Sequence, residues 1–350
     1  MKIAITADVH LLDRASYPER YNALEYILKT VQREDIKVLI IAGDLFDKDI
    51  QNYSDFEKLC QKYPGVKLHI IPGNHDVDIS SKSITSPNVV IYTEPTLVEF
   101  ESSTFLFVPY KENATMYEHI VGYLEELQGK DWVLVGHGDY YEGLKVINPL
   151  EKGTYMPISS KNIQTLRPKA VFLGHIHKPM EWHKVSYCGS PCGLDINERG
   201  KRRFLVYDTQ DVSAISVPVK TDVLFYNETF VIVPSEDEVA HLQKQIEARI
   251  QSWELEPEDK PKAVVRVSAQ GYAMDRSGIL DTLEKGFSEF TYFKDEKPNV
   301  EELKVSNDPQ LADIAMRTMR LIDESTWDLV DGEPNKAMVK IEALKTIYGS

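Results

Sequence analysis

The sequence predicts an α/β fold of two face-to-face mixed β-sheets flanked by helices, followed by a small α/β domain and C-terminal helices. Three observations predict it. Short apolar runs alternate with an amphipathic helical pattern through residues 1–215. Residues 89–108 and 184–233 read as shorter antiparallel strands broken by turn residues. Near residue 234 the pattern changes to a compact helix–strand–helix–strand order. The expected domains are therefore 1–220, 221–300 and 301–350.

KIAIT (2–6), KVLII (37–41), KLHII (67–71), WVLV (132–135) and AVFL (170–173) are apolar throughout, the pattern of strands covered on both faces. RYNALEYILKTVQRED places apolar residues at 21, 24, 27, 28 and 31, one face of a helix. Beyond residue 234, SEDEVAHLQKQIEARIQSW opens on a serine N-cap signature, with Ser235 as the expected cap. A strand over 262–269, a helix over 277–287 and a strand over 290–293 follow. Two helical stretches flank DGEPN in residues 308–350, and Leu311, Ile314, Ala315, Met319 and Ile322 make one apolar face of the first.

Composition narrows the class. Hydrophobic content of 42% and charged content of 27% are those of a soluble globular chain. No apolar stretch approaches the ~20 residues of a membrane span, and MKIAITADVH lacks the form of a signal peptide. Three cysteines are too few for a disulfide framework, so a cytoplasmic location is expected. The net charge of −15 is uneven, for residues 221–350 hold 26 acidic and 15 basic side chains. So acidic a region argues against tight unaided binding of nucleic acid there. It suits a partner that brings positive charge.

Five fragments share one grammar: an apolar strand, then small residues, then metal-type ligands. They are ITADVH, IIAGDLFD, IIPGNHD, VLVGHGD and FLGHIHK. Singly each is weak, since Asp44 suits a helix N-cap and GNHD suits a plain turn. Jointly they are specific, because strand ends of an open α/β sheet converge on one rim. Aspartate, asparagine and histidine without thiolates suit manganese, iron or zinc. Asp8, His10, Asp44, Asn74, His137, His175 and His177 are too many for one ion and enough for two.

In this order, D-x-H, GDxxD, GNHD, GH and GHxH resemble the signature of the calcineurin-like metallophosphoesterase superfamily. GHIHKP followed by VSYCGSPCGLDINERGKRRFLVYD is similar to the continuation found in SbcD-type DNA-repair nucleases, the meiotic-recombination-eleven family. The resemblance covers residues 1–215 and extends faintly over 234–297, where the family has a DNA-capping domain. It implies a four-layer sandwich and two divalent ions, Mn²⁺ foremost, with Mg²⁺, Fe²⁺ or Zn²⁺ as alternatives. One ion would take Asp8, His10, Asp44 and His177, and the other Asp44, Asn74, His137 and His175. His75 would face the scissile phosphate, oriented by Asp76, and a metal-bridging hydroxide would attack. The partners implied are DNA and an SMC-like ATPase of the SbcC type, docked on the C-terminal helices.

Two departures from the family stand out. Asp47 occupies a position where the family often has histidine. VDISSKSITSPNVVIY replaces a helix that builds the family's homodimer, which puts that dimer in doubt. RGKRR (199–203) is the densest basic cluster and reads as a solvated turn, or as phosphate contacts through Lys201 or Arg202. Two other functions compete. A stand-alone phosphoesterase for small diesters fits the acidic C-terminal third, while the 130 residues beyond a catalytic domain count against it. A metal-free scaffold on the same fold would have lost ligand histidines, and none is lost here.

Overall fold

The computed structural model describes residues 1–48, 53–101, 103–142, 144–145, 153–326 and 335–349. Contacts group the chain into two compact units. The first holds Met1–Leu194 and Lys201–Asp222, and the second holds Asp195–Gly200 and Val223–Ser350.

The first unit begins with β1 (Lys2–Thr6), α1 (Pro18–Arg33), β2 (Val38–Ala42), α2 (Ser54–Lys62), β3 (Lys67–Ile71) and β4 (Val89–Ile91). It continues with β5 (Thr96–Phe100), β6 (Ser103–Val108), α3 (Met116–Val121), α4 (Leu124–Leu127) and β7 (Trp132–His137). β8 (Tyr140–Glu142), β9 (Leu144–Lys145) and β10 (Ile158–Ser159) form a small separate sheet. Then come α5 (Ser160–Leu166), β11 (Ala170–Gly174), β12 (Met180–Trp182), β13 (Val185–Tyr187), β14 (Arg202–Asp208) and β15 (Ser213–Val219).

Two six-stranded sheets result, ordered β15-β14-β1-β2-β3-β4 and β12-β13-β11-β7-β6-β5. Both are mixed. β1, β2, β3 and β4 run parallel, as do β6, β7, β11 and β13, and antiparallel pairs sit at the margins. The inner layer joins Ile3, Ile5 and Ile40 of one sheet to Phe107, Val135 and Phe172 of the other. The outer face of the first sheet buries Leu39 and Ile41 against Leu24, Ile27 and Leu28 of α1. That of the second buries Leu134 and Leu173 with Met116, Ile120 and Ile163. This is a helix–sheet–sheet–helix sandwich, and it explains why the strands are apolar throughout. All five predicted apolar positions of α1 are buried, each contributing about 1.5–3 kcal/mol before entropy is set against it.

The second unit opens with β16 (Leu224–Ile232), which the sequence pattern groups with the antiparallel strands of 184–233 although it lies past the expected boundary at 220. It runs parallel to β17 (Ala263–Ala273), with β18 (Thr291–Tyr292) and β19 (Leu303–Val305) also paired to β17. α6 (Glu238–Gln251) and α7 (Arg276–Gly286) cover one face through Leu242, Ile246, Ile279 and Leu283. α8 (Pro309–Glu324) and α9 (Lys336–Tyr348) pack Ala315, Met319 and Leu344 with Tyr272. The helices expected as a separate terminal segment thus share this unit with the α/β domain.

Three local expectations are corrected. α6 is capped from Asp237 without a side-chain bond, and Ser235 lies outside it. Ile314 is 47% exposed, so it leaves the apolar face of α8 that Ala315 and Met319 bury. Arg202 is neither in a solvated turn nor free for phosphate, for it is buried on β14. Residues 72–88 contain turns and no helix, as their composition predicts. Residues 331–334 of the expected DGEPN turn lie outside the described residues.

Candidate metal centre

The seven predicted ligands converge. Asp8 and His10 follow β1, Asp44 follows β2, Asn74 follows β3, His137 ends β7, and His175 and His177 follow β11. Parallel pairing brings the carboxyl ends of β1, β2 and β3 to one edge, and those of β7 and β11 to the facing edge. The loops are laced together by main-chain bonds from Asp8 N to Gly43 O (3.1 Å) and from His10 N to Asp44 O (3.0 Å).

The backbone there is strained. Asp8, His10, Asp44 and His175 have φ of 53°, 49°, 50° and 98°, a region that side chains other than glycine enter at a cost and that clusters at functional sites. Two glycines make the approach possible. A Cβ on Gly43 would stand 2.1 Å from His137 Nδ1, and one on Gly73 would stand 2.1 Å from Asp44 Oδ1.

Asp44 is central. Its Oδ1 accepts from the His75 amide at 2.8 Å. Its Oδ2 lies 3.6 Å from His10 Nε2 and 3.3 Å from His137 Nε2. On one side, His10 and His177 bring their Nε2 atoms within 3.1 Å of each other, and Asp8 shares a ligand-sized cluster with both. On the other, Asn74 Oδ1 lies 2.9 Å from His137 Nε2 and 3.1 Å from His175 Nδ1.

This donor set fits divalent ions. His137 turns Nδ1 to the Ala42 carbonyl at 3.0 Å, which aims Nε2 at the Asn74 and Asp44 oxygens, where it would serve as the ligand atom once a cation displaces its proton. Asp8 Oδ1 accepts from the His175 amide at 2.8 Å, while its buried Oδ2 has no hydrogen-bond partner. Acceptors crowded on acceptors are costly when buried, and a cation relieves that.

The titration of the groups shows the same tension. Burial pushes Asp8 up to about 6 against the pull of His177 and His137, and burial lowers His10 to about 3. Burial opposes ionisation of Asp44 too, yet His137, His10 and His75 hold its carboxyl far below the usual range. Burial alone would lower His137, and Asp44 and Asp8 outweigh it and lift it to about 9.

His75 stands at the rim, its side chain 19% exposed and its ring edge-on to His10 with centroids 4.5 Å apart. Its Nδ1 lies 3.1 Å from Asp47 Oδ1. The expectation that Asp76 orients His75 is therefore corrected. Asp76 is spent on the amides of Gly73 (2.7 Å) and Phe46 (3.1 Å), tying two loops together. Burial, then Asp44, pushes its carboxyl up to about 7. Asp139 is a residue that sequence reasoning missed. It accepts from the Tyr155 amide at 2.9 Å and lies 3.6 Å from His175 Nε2, the outer partner that metal-ligating histidines normally have. VLVGHGD displays it, but nothing in the spacing marks it as aimed at another strand's histidine. Tyr155 packs its ring on His175 with centroids 4.7 Å apart.

The family model for calcineurin-like phosphoesterases matches residues 1–179, more than half of the chain. The chain belongs to the calcineurin-like phosphoesterase family. Its members are metal-dependent phosphoester hydrolases, which agrees with the clustered donors. The chain is 29% identical over 172 residues to exonuclease subunit 1 of Enterobacteria phage T4, covering 45% of this chain and 47% of that protein. It is 25% identical over 229 residues to the SbcD component of the SbcCD nuclease of Staphylococcus saprophyticus, covering 54% of this chain and 60% of that one. Each match thus spans less than two thirds of the relative. Among solved structures, an archaeal phosphodiesterase aligns with 63% of this phosphoesterase chain and 100% of its own, at 13% identity and a TM-score of 0.34. Among the described residues no helix is long and apolar enough to cross a membrane.

Proposed function

We propose that this phosphoesterase is the nuclease subunit of a DNA-processing complex, a two-metal phosphodiesterase that works with an SMC-like ATPase. The observation that carries the proposal is Asp44 Oδ2 lying between His10 on one side and His137 on the other, at 3.6 and 3.3 Å. That placement suits a bridging carboxylate, with Asp8, His10 and His177 for one ion and Asn74, His137 and His175 for its neighbour. The donor set suits manganese, iron or zinc, and the family resemblance puts manganese first. Such ions supply charge neutralisation at the phosphate and a water of lowered pKa.

The chain's own residues do the rest. Asp47 holds Nδ1 of His75, which fixes the ring and favours a charged or Nδ1-protonated imidazole facing the substrate. From there His75 stabilises developing charge and serves the leaving oxygen as a proton donor. The names of the phage and staphylococcal relatives, both nuclease subunits, support DNA as substrate and a multi-subunit setting. Exposed Ile314, Met316 and Leu321 on α8, with exposed Met338 on α9, support docking of a helical partner there.

The test is cleavage with Mn²⁺, alone and with the ATPase present. Linear or single-stranded DNA should be degraded. Hydrolysis of bis-p-nitrophenyl phosphate with DNA left intact under both conditions would replace this reading with a stand-alone phosphodiesterase. Leu321→Glu should spare small-diester hydrolysis and remove co-purification of the ATPase.

A further inference from the structure

Two buried arginines grip the site from behind. Arg20, on α1, donates through Nη1 to the main-chain oxygen of His10, and the same nitrogen lies 3.4 Å from Asp47 Oδ2. Arg202, on β14, donates through Nη2 to the main-chain oxygen of His177 and to Ser190 Oγ, and through Nε to Ser190 O at 2.9 Å. The His177 oxygen also accepts from the Ser190 amide at 3.1 Å. The two gripped residues are the pair whose Nε2 atoms stand 3.1 Å apart. Each arginine thus reaches one member of the same histidine pair, and each does so through the carbonyl rather than the ring.

Pinning a residue's carbonyl restricts its main chain, and so limits where the Cα–Cβ bond that carries the ring can stand. His10 needs this most, at a φ of 49°. Ion binding would need a lone pair on each Nε2, leaving the two rings no hydrogen bond of their own to hold this spacing. A buried guanidinium is costly to place, and its fork of donors suits holding several oxygens at once. On the other side, His137 reaches Ala42, Asp44 and Asn74, and Asn74 also reaches His175.

We infer that Arg20 and Arg202 are paired positioning residues for the His10–His177 half of the centre, preorganising it for its divalent ion and leaving the Asn74–His137–His175 half to other supports. The inference rests on the two-ion reading above. Outer partners of metal ligands typically set affinity by 10–100-fold, and a change of that size is expected here.

The test is Mn²⁺ titration of the full chain by calorimetry, with electron paramagnetic resonance to count sites. Arg202→Lys is made in two backgrounds, His137→Ala, which keeps the His10–His177 position, and His177→Ala, which keeps the other. Affinity should fall about 10–100-fold in the first and stay within about twofold in the second. Arg20→Lys should repeat the pattern, so that the result does not hang on one variant's folding. Arg203→Gln, a change to the neighbouring arginine that pairs with Glu181, should alter neither. Equal losses in both backgrounds, or none, would overturn the clamp while the unaltered protein still binds two ions. Fewer than two Mn²⁺ in the unaltered protein would overturn the two-ion reading, and the clamp with it.

Discussion

Both units are built on parallel strands with helical crossovers, yet they treat buried charge in opposite ways. In the second unit, buried Glu228 accepts from Arg249 and from Trp253 Nε1. Buried Glu238 takes the amides of Met274 and Asp275. Each carboxylate there has donors of its own. In the first unit, Asp8, Asp44, His10 and His137 crowd together with Asp8 Oδ2 unpartnered, and three of the four sit at left-handed φ. The architecture is shared, and the difference lies in what the strand ends deliver. Satisfied buried charge holds a fold together, whereas unsatisfied buried charge at strained backbone marks a place for something else to bind.

The sharpest way to break that contrast is at the rim of the site. His75→Ala should lower kcat by roughly 10²–10⁴-fold, the range for a positioned acid–base group, with both Mn²⁺ retained. Loss of an ion would move His75 into the ligand set, where its proximity to His10 and Asp44 makes it a candidate. Asp47→Ala should lower kcat by about 10–100-fold with KM little changed, and should do nothing further in the His75→Ala background. An additional loss there would show Asp47 acting through Arg20 and His10 instead.

The candidate ligands were legible in the sequence because each lies within a few residues of an apolar strand, and strand ends of an α/β sheet meet on one rim. Asp47, Asp139 and Arg202 were visible as letters but not as roles. Asp47 meets a histidine 28 residues away, and Arg202 one 25 residues away, distances that only the tertiary fold closes. The same limit explains β16. Alternating apolar residues identify a strand, but they do not say which sheet it joins, and 224–232 pairs forward with β17 rather than back. Ser235 failed as a cap because a serine near a helix start is a local preference that the chain's path overrides.

His69 offers a middle case, a buried histidine in the catalytic unit that is no ligand. It lies among Tyr92, Phe100 and Phe107, with Nδ1 2.7 Å from Tyr92 Oη. Burial, aided by Lys67, lowers its pKa to about 4. The unfolded chain, near 6.5, binds the proton more readily between those values. Stability from this group is therefore complete above pH 6.5 and is lost as pH falls toward 4, by roughly 3 kcal/mol in all. His69→Phe should flatten that part of the curve in urea unfolding across pH 4–7. An unchanged slope would mean that the acid loss belongs to the metal-site histidines alone.

The smallest effect tests the satisfied side of the comparison. Glu228→Gln keeps an acceptor for Trp253 Nε1 but replaces the ion pair with Arg249 by a guanidinium–amide bond, in which only the donor is charged. An ion pair with a partner open to solvent, as Arg249 is, contributes about 0.2–1 kcal/mol, so a loss of up to about 1 kcal/mol is expected in chemical unfolding. Mn²⁺ uptake and small-diester hydrolysis should not move, because Glu228 serves the second unit's own packing around Tyr226 and Trp253, whose rings stack 3.9 Å apart. A fall in Mn²⁺ uptake would break the contrast, since a carboxylate with all its donors in place would then be serving the ion as well as the fold.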